Sequence, residues 1–463
     1  MSLSRDMFAF NASVTLDVEE IPKLTLAEAP HYSPGCDKGD PLDLIASNTH
    51  VQYVGAADDA RVRKKIDRHV MPAIFVIYFL LLLDKHSLSM SSVFGLSRQT
   101  NLTGSDYSML GSIVYIAGLV LQPLVAYCLV RVRVAILVPA LMVFWGATMA
   151  CMAAAENFVG LLVGRFFLGV FEAPISPAFI LMIQMWYRRH EQGIRIALYY
   201  SNTGWVNIFG SLMMFGLGHV KSKVVFPYQI VFILLGGLTF LVGICFIFFF
   251  PDDPARCRFL STQDKVVAIE RLRANQQGSK THTFKPNQVL EMFLDPKSWL
   301  WMLMLLTTAI PAAAISAFGP LILKGFGFNN YDVMLLSIPL GALQLIVMFI
   351  SFWANRKYNV KSVMIIMGLV PSIAAAAVML CTSRSKASQP ILLFSYYLFA
   401  TNAAVGPAIL NWASSNVAGH TKSSATIALM SMGVYGGSIV GPLLFQTKDR
   451  PYYRPGMWIK QST

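Results

Sequence analysis

Eleven runs of about 20 predominantly apolar residues recur along the chain, separated by short polar turns, and each is long enough to cross a hydrocarbon core as a helix. They are expected near 71–93, 107–130, 134–154, 158–180, 196–219, 227–250, 299–319, 332–354, 362–381, 390–411 and 424–446. In lipid each run must satisfy its own backbone, so the pattern predicts an all-α polytopic membrane protein. Composition agrees: 55% of residues are hydrophobic, only 13% are charged, and the mean hydropathy is +0.55.

Charge sets the expected orientation. Lys and Arg crowd the segment before the first run (Arg61, Arg63, Lys64, Lys65, Arg68) and recur in alternate turns at Arg131, Arg133, Arg188, Arg189, Arg195, Arg356, Lys357 and Lys361. The opposite turns are poorer in them, which places the N-terminus in the cytosol. The formal net charge of +13 follows from this bias, and the basic residues lack the interleaved aromatics of a nucleic-acid groove, so no nucleic-acid partner is expected. The six cysteines and eight histidines are scattered, without CxxC or clustered spacing, so neither a metal nor another cofactor is expected, and the cysteines read as packing residues. The loops pair no nucleophile with a base at useful spacing, so the chain is not expected to be an enzyme.

The runs fall into two groups. Residues 1–65 form an acidic, Pro-bearing tail expected to be disordered and cytosolic, with no cleavable-signal pattern. Residues 66–250 form a six-helix bundle, 251–297 a charged central loop, 298–446 a bundle of five spans, and 447–463 a polar tail in which a twelfth helix would be cut short. Within the loop, "STQDKVVAIERLRANQQ" spaces Val266, Ile269 and Leu272 as a short amphipathic helix lying on the membrane surface. Two bundles joined by a long loop are the layout of a secondary transporter with its substrate near the midplane.

Four charges stand inside the spans. The first reads "YFLLLLDKHSLSM", with Asp84 and Lys85, and the fourth "GRFFLGVFEAPISPA", with Arg165 and Glu172. Each costs at least about 2.5–3.5 kcal/mol to insert, so each needs a partner or a wet cavity. Arg165 and Glu172 are nearly two turns apart and share a helix face. At about 1.5 Å per residue, Asp84 lies about 20 Å from the inner end of its span and Arg165 about 10 Å from the outer end of its own, so the two meet at one depth. Asp84 is therefore expected to pair with Arg165, with Glu172 nearer the cytosol. A carboxylate that alternates between an arginine and a proton can release that arginine to an anionic substrate. Asp84, Glu172 and Arg165 are the expected proton-coupling residues; the plain alternative is an ion-pair network that only locks the bundle. Asn202, Asn402 and Asn411 could orient a ligand or serve as helix-packing amides. Pro174, Pro177, Gly406 and Pro407 should bend their helices, and "SMGVYGGSIVGP" reads as a close-packing face.

Several stretches resemble the major facilitator superfamily, and within it the anion:cation symporters of the fungal allantoate permease type: "GRFFLGVFEA", "WYRRHEQGIR" at 186–195, "FPDDPARCRFLS" at 250–261, "NWASSNVAGHTK" at 411–422 and "NLTGSDY" at 101–107. The resemblance implies proton-driven uptake of a small carboxylate or vitamin-like anion across a plasma membrane by alternating access. It also implies that Lys85 meets the substrate carboxylate, with Arg165 beside it; lysine here replaces the usual arginine and offers a point charge where a fork is usual. The polar neighbours of Pro123 in span 2 are apolar in "LQPLVAY", and the basic turn after it is reduced to "VRVRV". These departures suit a substrate unlike the family's usual vitamins and ureides. An exporter of a metabolite and a non-transporting sensor or inactive paralogue are the alternatives. The partners implied are the organic anion, protons and membrane lipid, with the chain acting as a monomer. Asn101 and Thr103 form a glycosylation sequon close to the membrane.

Overall fold

The computed structural model describes residues 55–102, 105–219, 226–251, 253–274, 286–358, 361–382, 386–417 and 420–444. The first half comprises α1 (Ala56–Val93), α2 (Asp106–Arg131), α3 (Val134–Cys151), α4 (Phe158–Glu172), α5 (Ile175–Trp186), α6 (Arg189–Gly218) and α7 (Pro227–Phe249). Between the halves lie α8 (Thr262–Ala274) and α9 (Pro286–Leu294). The second half comprises α10 (Pro296–Gly325), α11 (Asn330–Tyr358), α12 (Lys361–Cys381), α13 (Gln389–Leu398), α14 (Val405–Asn416) and α15 (His420–Leu443). Every expected span has its helix, and there are no strands among the described residues.

Ten of these spans are long and apolar enough to cross a membrane by length and composition. The remaining one, α6, opens on Arg189, His190 and Glu191 and carries Asn202, Thr203 and Asn207. Its polar groups turn inward: Ser201, Asn202, Asn207 and Ser211 are buried, because α6 is packed between α1 and α11. Low hydropathy here marks a helix that faces protein more than lipid.

The two halves meet along α6 and α11, α2 and α15, and α1 and α10. The glycine-rich stretch of α15 is a packing face, since a Cβ on Gly433, Gly437 or Gly441 would collide with the backbone carbonyl of Met302, Leu306 or Ile310 on α10. The fourth span breaks between Glu172 and Ile175, at Ala173 and Pro174. The tenth breaks earlier than Gly406 and Pro407 suggested, through a 3-10 segment at Phe399–Ala404, so that Pro407 falls in the first turn of α14, where its missing N–H is tolerated.

Three expectations need correction. The helical chain starts at Ala56, inside the stretch assigned to a disordered tail; the rest of that tail, up to residue 54, lies outside the described residues, as do the polar C-terminal residues from 445 and Thr103 of the sequon. The loop helix α8 also buries charges that the apolar spacing left outside, with Asp264, Glu270 and Arg271 buried beside Ala268 while Val266, Ile269 and Leu272 are half-buried. Arg271 is 1% exposed and donates from Nε to Asp59 Oδ1 at 2.6 Å and from Nη2 to both carboxylate oxygens of Glu191 at 2.8 and 3.0 Å. Asp264 accepts from Lys65 Nζ at 2.6 Å and from Arg61 Nη2 at 3.2 Å. These ion pairs order the start of α1 as well as α8, because each segment supplies the other's counter-charges. Finally, Cys151, Cys245 and Cys381 are exposed, and of the described cysteines only Cys257 is buried in packing.

Candidate functional site

α4 packs on α2 and α3, and its charged side chains reach across to those of α1. Asp84 is 1% exposed, Arg165 3% and Glu172 5%. Arg165 Nη1 lies 3.9 Å from Asp84 Oδ1, the pairing that the depth estimate required. One step along α1, Lys85 Nζ lies 3.7 Å from Glu172 Oε2 and 5.5 Å from the centre of the Tyr115 ring. The Glu172 carboxyl also borders that of Asp84. Two acids and two bases thus form one buried quartet rather than two remote pairs.

The quartet is unevenly satisfied. Asp84 Oδ2 accepts from Trp145 Nε1 at 2.6 Å, and the Ser87 hydroxyl donates to the Asp84 carbonyl at 2.6 Å and reaches Oδ1 at 3.5 Å. Glu172 Oε2 and Arg165 Nε are buried without hydrogen-bond partners among the described residues. A buried guanidinium with an unused donor is a group poised for another acceptor.

Lys85 and Arg165 line a cavity of about 30 Å³ with Ser89, Tyr115, Ser316 and Pro442, so both halves contribute walls. That is room for a few ordered waters between the halves. At the far face, side-chain donors of one half reach backbone carbonyls of the other, two of them neutral and one cationic. Tyr107 O–H donates to Ala317 O at 2.8 Å, Tyr331 O–H to Gly218 O at 2.9 Å and Lys324 Nζ to Val93 O at 3.2 Å.

The asparagines stand apart from this cavity. Asn202 is fully buried in α6, donating to Tyr199 O at 3.1 Å, with no partner for its Oδ1 among the described residues. Asn402 lies in the 3-10 segment of the tenth span. Asn411 lines a second cavity of about 50 Å³ nearer the basic face, with Asn355, Lys361 and Pro407. Trp145 and Tyr115 went unmarked in the sequence because an aromatic in an apolar run looks like packing; the one available signal was a tryptophan well inside a span rather than at an interface.

The fold and the charged seam agree with the sequence comparisons. The model of the Major Facilitator Superfamily matches residues 74–442. The chain belongs to that superfamily. An uncharacterized transporter of Schizosaccharomyces pombe is 34% identical over 87% of this chain and 76% of its own. The thiamine pathway transporter of Saccharomyces cerevisiae is 30% identical over 89% and 79%, and the allantoate permease of the same yeast 26% identical over 90% and 79%. Among solved structures, a D-xylose-proton symporter superposes with a TM-score of 0.60 at 13% identity, covering 84% of this chain and 94% of that one. A bacterial homolog of the human lysosomal transporter Spinster gives 0.61 at 14%, covering 85% and 82%. This member of the superfamily is therefore a multi-pass membrane protein of the transporter fold, with its charged quartet in the first half and a neutral wall from the second.

Proposed function

We propose that the chain is a secondary active transporter that takes up a small organic anion together with protons across the plasma membrane, by alternating access of its two halves. The observation that carries this reading is the pair of cations, Lys85 and Arg165, facing one cavity inside the bilayer, each with a carboxylate as its resting partner. A permanent anion is the ligand two such cations favour, and the resting carboxylates are what it must displace. Protonation of a carboxylate on the outer side releases its cation; the anion then spans Lys85 and Arg165 and the halves rock. On the inner side the proton leaves, the carboxylate re-forms its pair and the anion is expelled. The similarity to an allantoate permease, named for a carboxylate, supports the same substrate class.

The test is uptake of radiolabelled nicotinate, allantoate and pantothenate in transporter-deleted cells at two external pH values. Accumulation that rises at acid pH is expected. Anion efflux against protons would make the chain an exporter, and surface-localised protein without flux would make it a sensor.

A further inference from the structure

We propose that Trp145 is a positioning residue that holds Asp84 as a standing anion, so that the coupling proton is carried by Glu172 alone. The inference rests on the proton-coupled reading above and divides its carboxylates between two tasks.

The division follows from which donors each carboxylate receives. Trp145 is fully buried on α3 and its indole offers a single N–H that can donate but never accept. At 2.6 Å from Asp84 Oδ2 it occupies that oxygen as an acceptor, and the other oxygen faces Arg165 at 3.9 Å and Ser87 at 3.5 Å. The indole N–H and the guanidinium both favour a carboxylate over a carboxylic acid, whereas the single Ser87 proton is taken by the Asp84 carbonyl. Glu172 has its cation too, Lys85 at 3.7 Å, but no counterpart of the indole N–H: its Oε2 is buried without a hydrogen bond among the described residues. A proton arriving at the two adjoining carboxyls is better placed on Glu172, where the new O–H has the Asp84 anion as a neighbouring acceptor.

The other groups facing Asp84 do not alter this assignment. On α1 itself stand Lys85 and His86, on α4 Arg165 and Glu172, on α2 Tyr115 beside Lys85, and on α15 Tyr435 near Lys85 and Glu172. From α6, Tyr199 and Tyr200 pack on Tyr78. The cavity wall from α10 is neutral at Ala313, Ser316 and Ala317, the titratable residues of α7 are Tyr228 and Cys245, and α5 has none.

The position of the tryptophan is consistent with this task. Tryptophans in membrane helices gather at the interfaces, yet Trp145 lies about 9 Å inside the end of α3 at 1.5 Å per residue. There its N–H must find a buried acceptor, and Asp84 is the one it has.

The experiment is infrared difference spectroscopy of the full-length purified protein during a pH titration, with protons as the only added ligand and the protonated-carboxyl stretch as the readout. Asp84→Asn and Glu172→Gln identify the carriers. The wild type is expected to show a buried carboxyl that takes up a proton, lost in Glu172→Gln and retained in Asp84→Asn. Trp145→Phe is expected to add a second protonated carboxyl, removed by Asp84→Asn in the double variant, whereas Trp145→Gln, which keeps an N–H donor, restores the wild-type pattern. A signal lost in Asp84→Asn but kept in Glu172→Gln overturns the proposal even if the tryptophan variants do not fold, and so does a Trp145→Phe spectrum identical to the wild type. A Glu172 signal in protein that moves no anion with pH would instead sink the symport reading and leave the placement of the proton intact.

Discussion

At the residue scale, the quartet was legible in the sequence because ionisable side chains in an apolar span are costly and therefore conspicuous. Its pairing was partly legible too, since antiparallel register alone put Asp84 level with Arg165. The Lys85–Glu172 contact was not, because it depends on how far a flexible lysine reaches across the helix crossing. Glu172→Gln mimics the protonated carboxyl, so pH-driven net uptake is expected to vanish while substrate exchange continues; measured uptake with unchanged pH dependence would exclude Glu172 from coupling. Arg165→Lys loses the fork that can bind an anion while bridging Asp84. A charge-assisted hydrogen bond is worth about 1.5–3 kcal/mol, so KM for the transported anion is expected to rise about 10- to 100-fold.

At the element scale, the apolar runs located every span, but proline positions located the breaks only approximately. Pro174 stands at the break of the fourth span, whereas Pro407 sits comfortably as the third residue of its helix, in the first turn, and the disruption falls before it. Packing faces were legible where glycine repeats at helical spacing, as on α15. There the structure separates neighbours that the sequence cannot: a Cβ on Gly437 would strike the Leu306 carbonyl, while one on Gly436 would meet Leu306 Cδ1 at an ordinary 3.7 Å. Gly437→Ala is expected to destabilise the α10–α15 crossing by about 1–3 kcal/mol and Gly436→Ala to leave it unchanged. Thermal unfolding midpoints in detergent would test the contrast, and equal midpoints would refute it.

At the scale of the whole molecule, the basic face is held by charges exchanged among α1, α6 and α8. Burial alone would raise the Asp264 carboxyl, but hydrogen bonds and charge from Lys65, with Arg61 behind them, outweigh it and hold the group below the usual aspartate value. A folded value below the unfolded one means that the contribution to docking α8 is complete above about pH 4 and is lost as pH falls through the lower folded value. Hydrogen exchange of α8 amides, corrected for intrinsic rate, is therefore expected to stay slow down to about pH 4 and accelerate below it. Asp264→Asn should exchange fast already at neutral pH. Slow exchange in that variant would mean that apolar packing, not charge, docks the helix.

By itself the sequence determined the solvent of this protein, its helices, its two halves and the four charges that lipid would not tolerate unpaired. Those follow from local composition and from the cost of burying backbone and charge in hydrocarbon, which act residue by residue. Only the tertiary structure decided which buried groups are spoken for. Trp145 reaches Asp84 across 61 residues of chain, Arg271 reaches Glu191 across 80, and Asn411 opens on a different cavity from Lys85. A hydrogen bond needs its donor within about 3 Å of its acceptor, and no composition or period along a chain carries that distance.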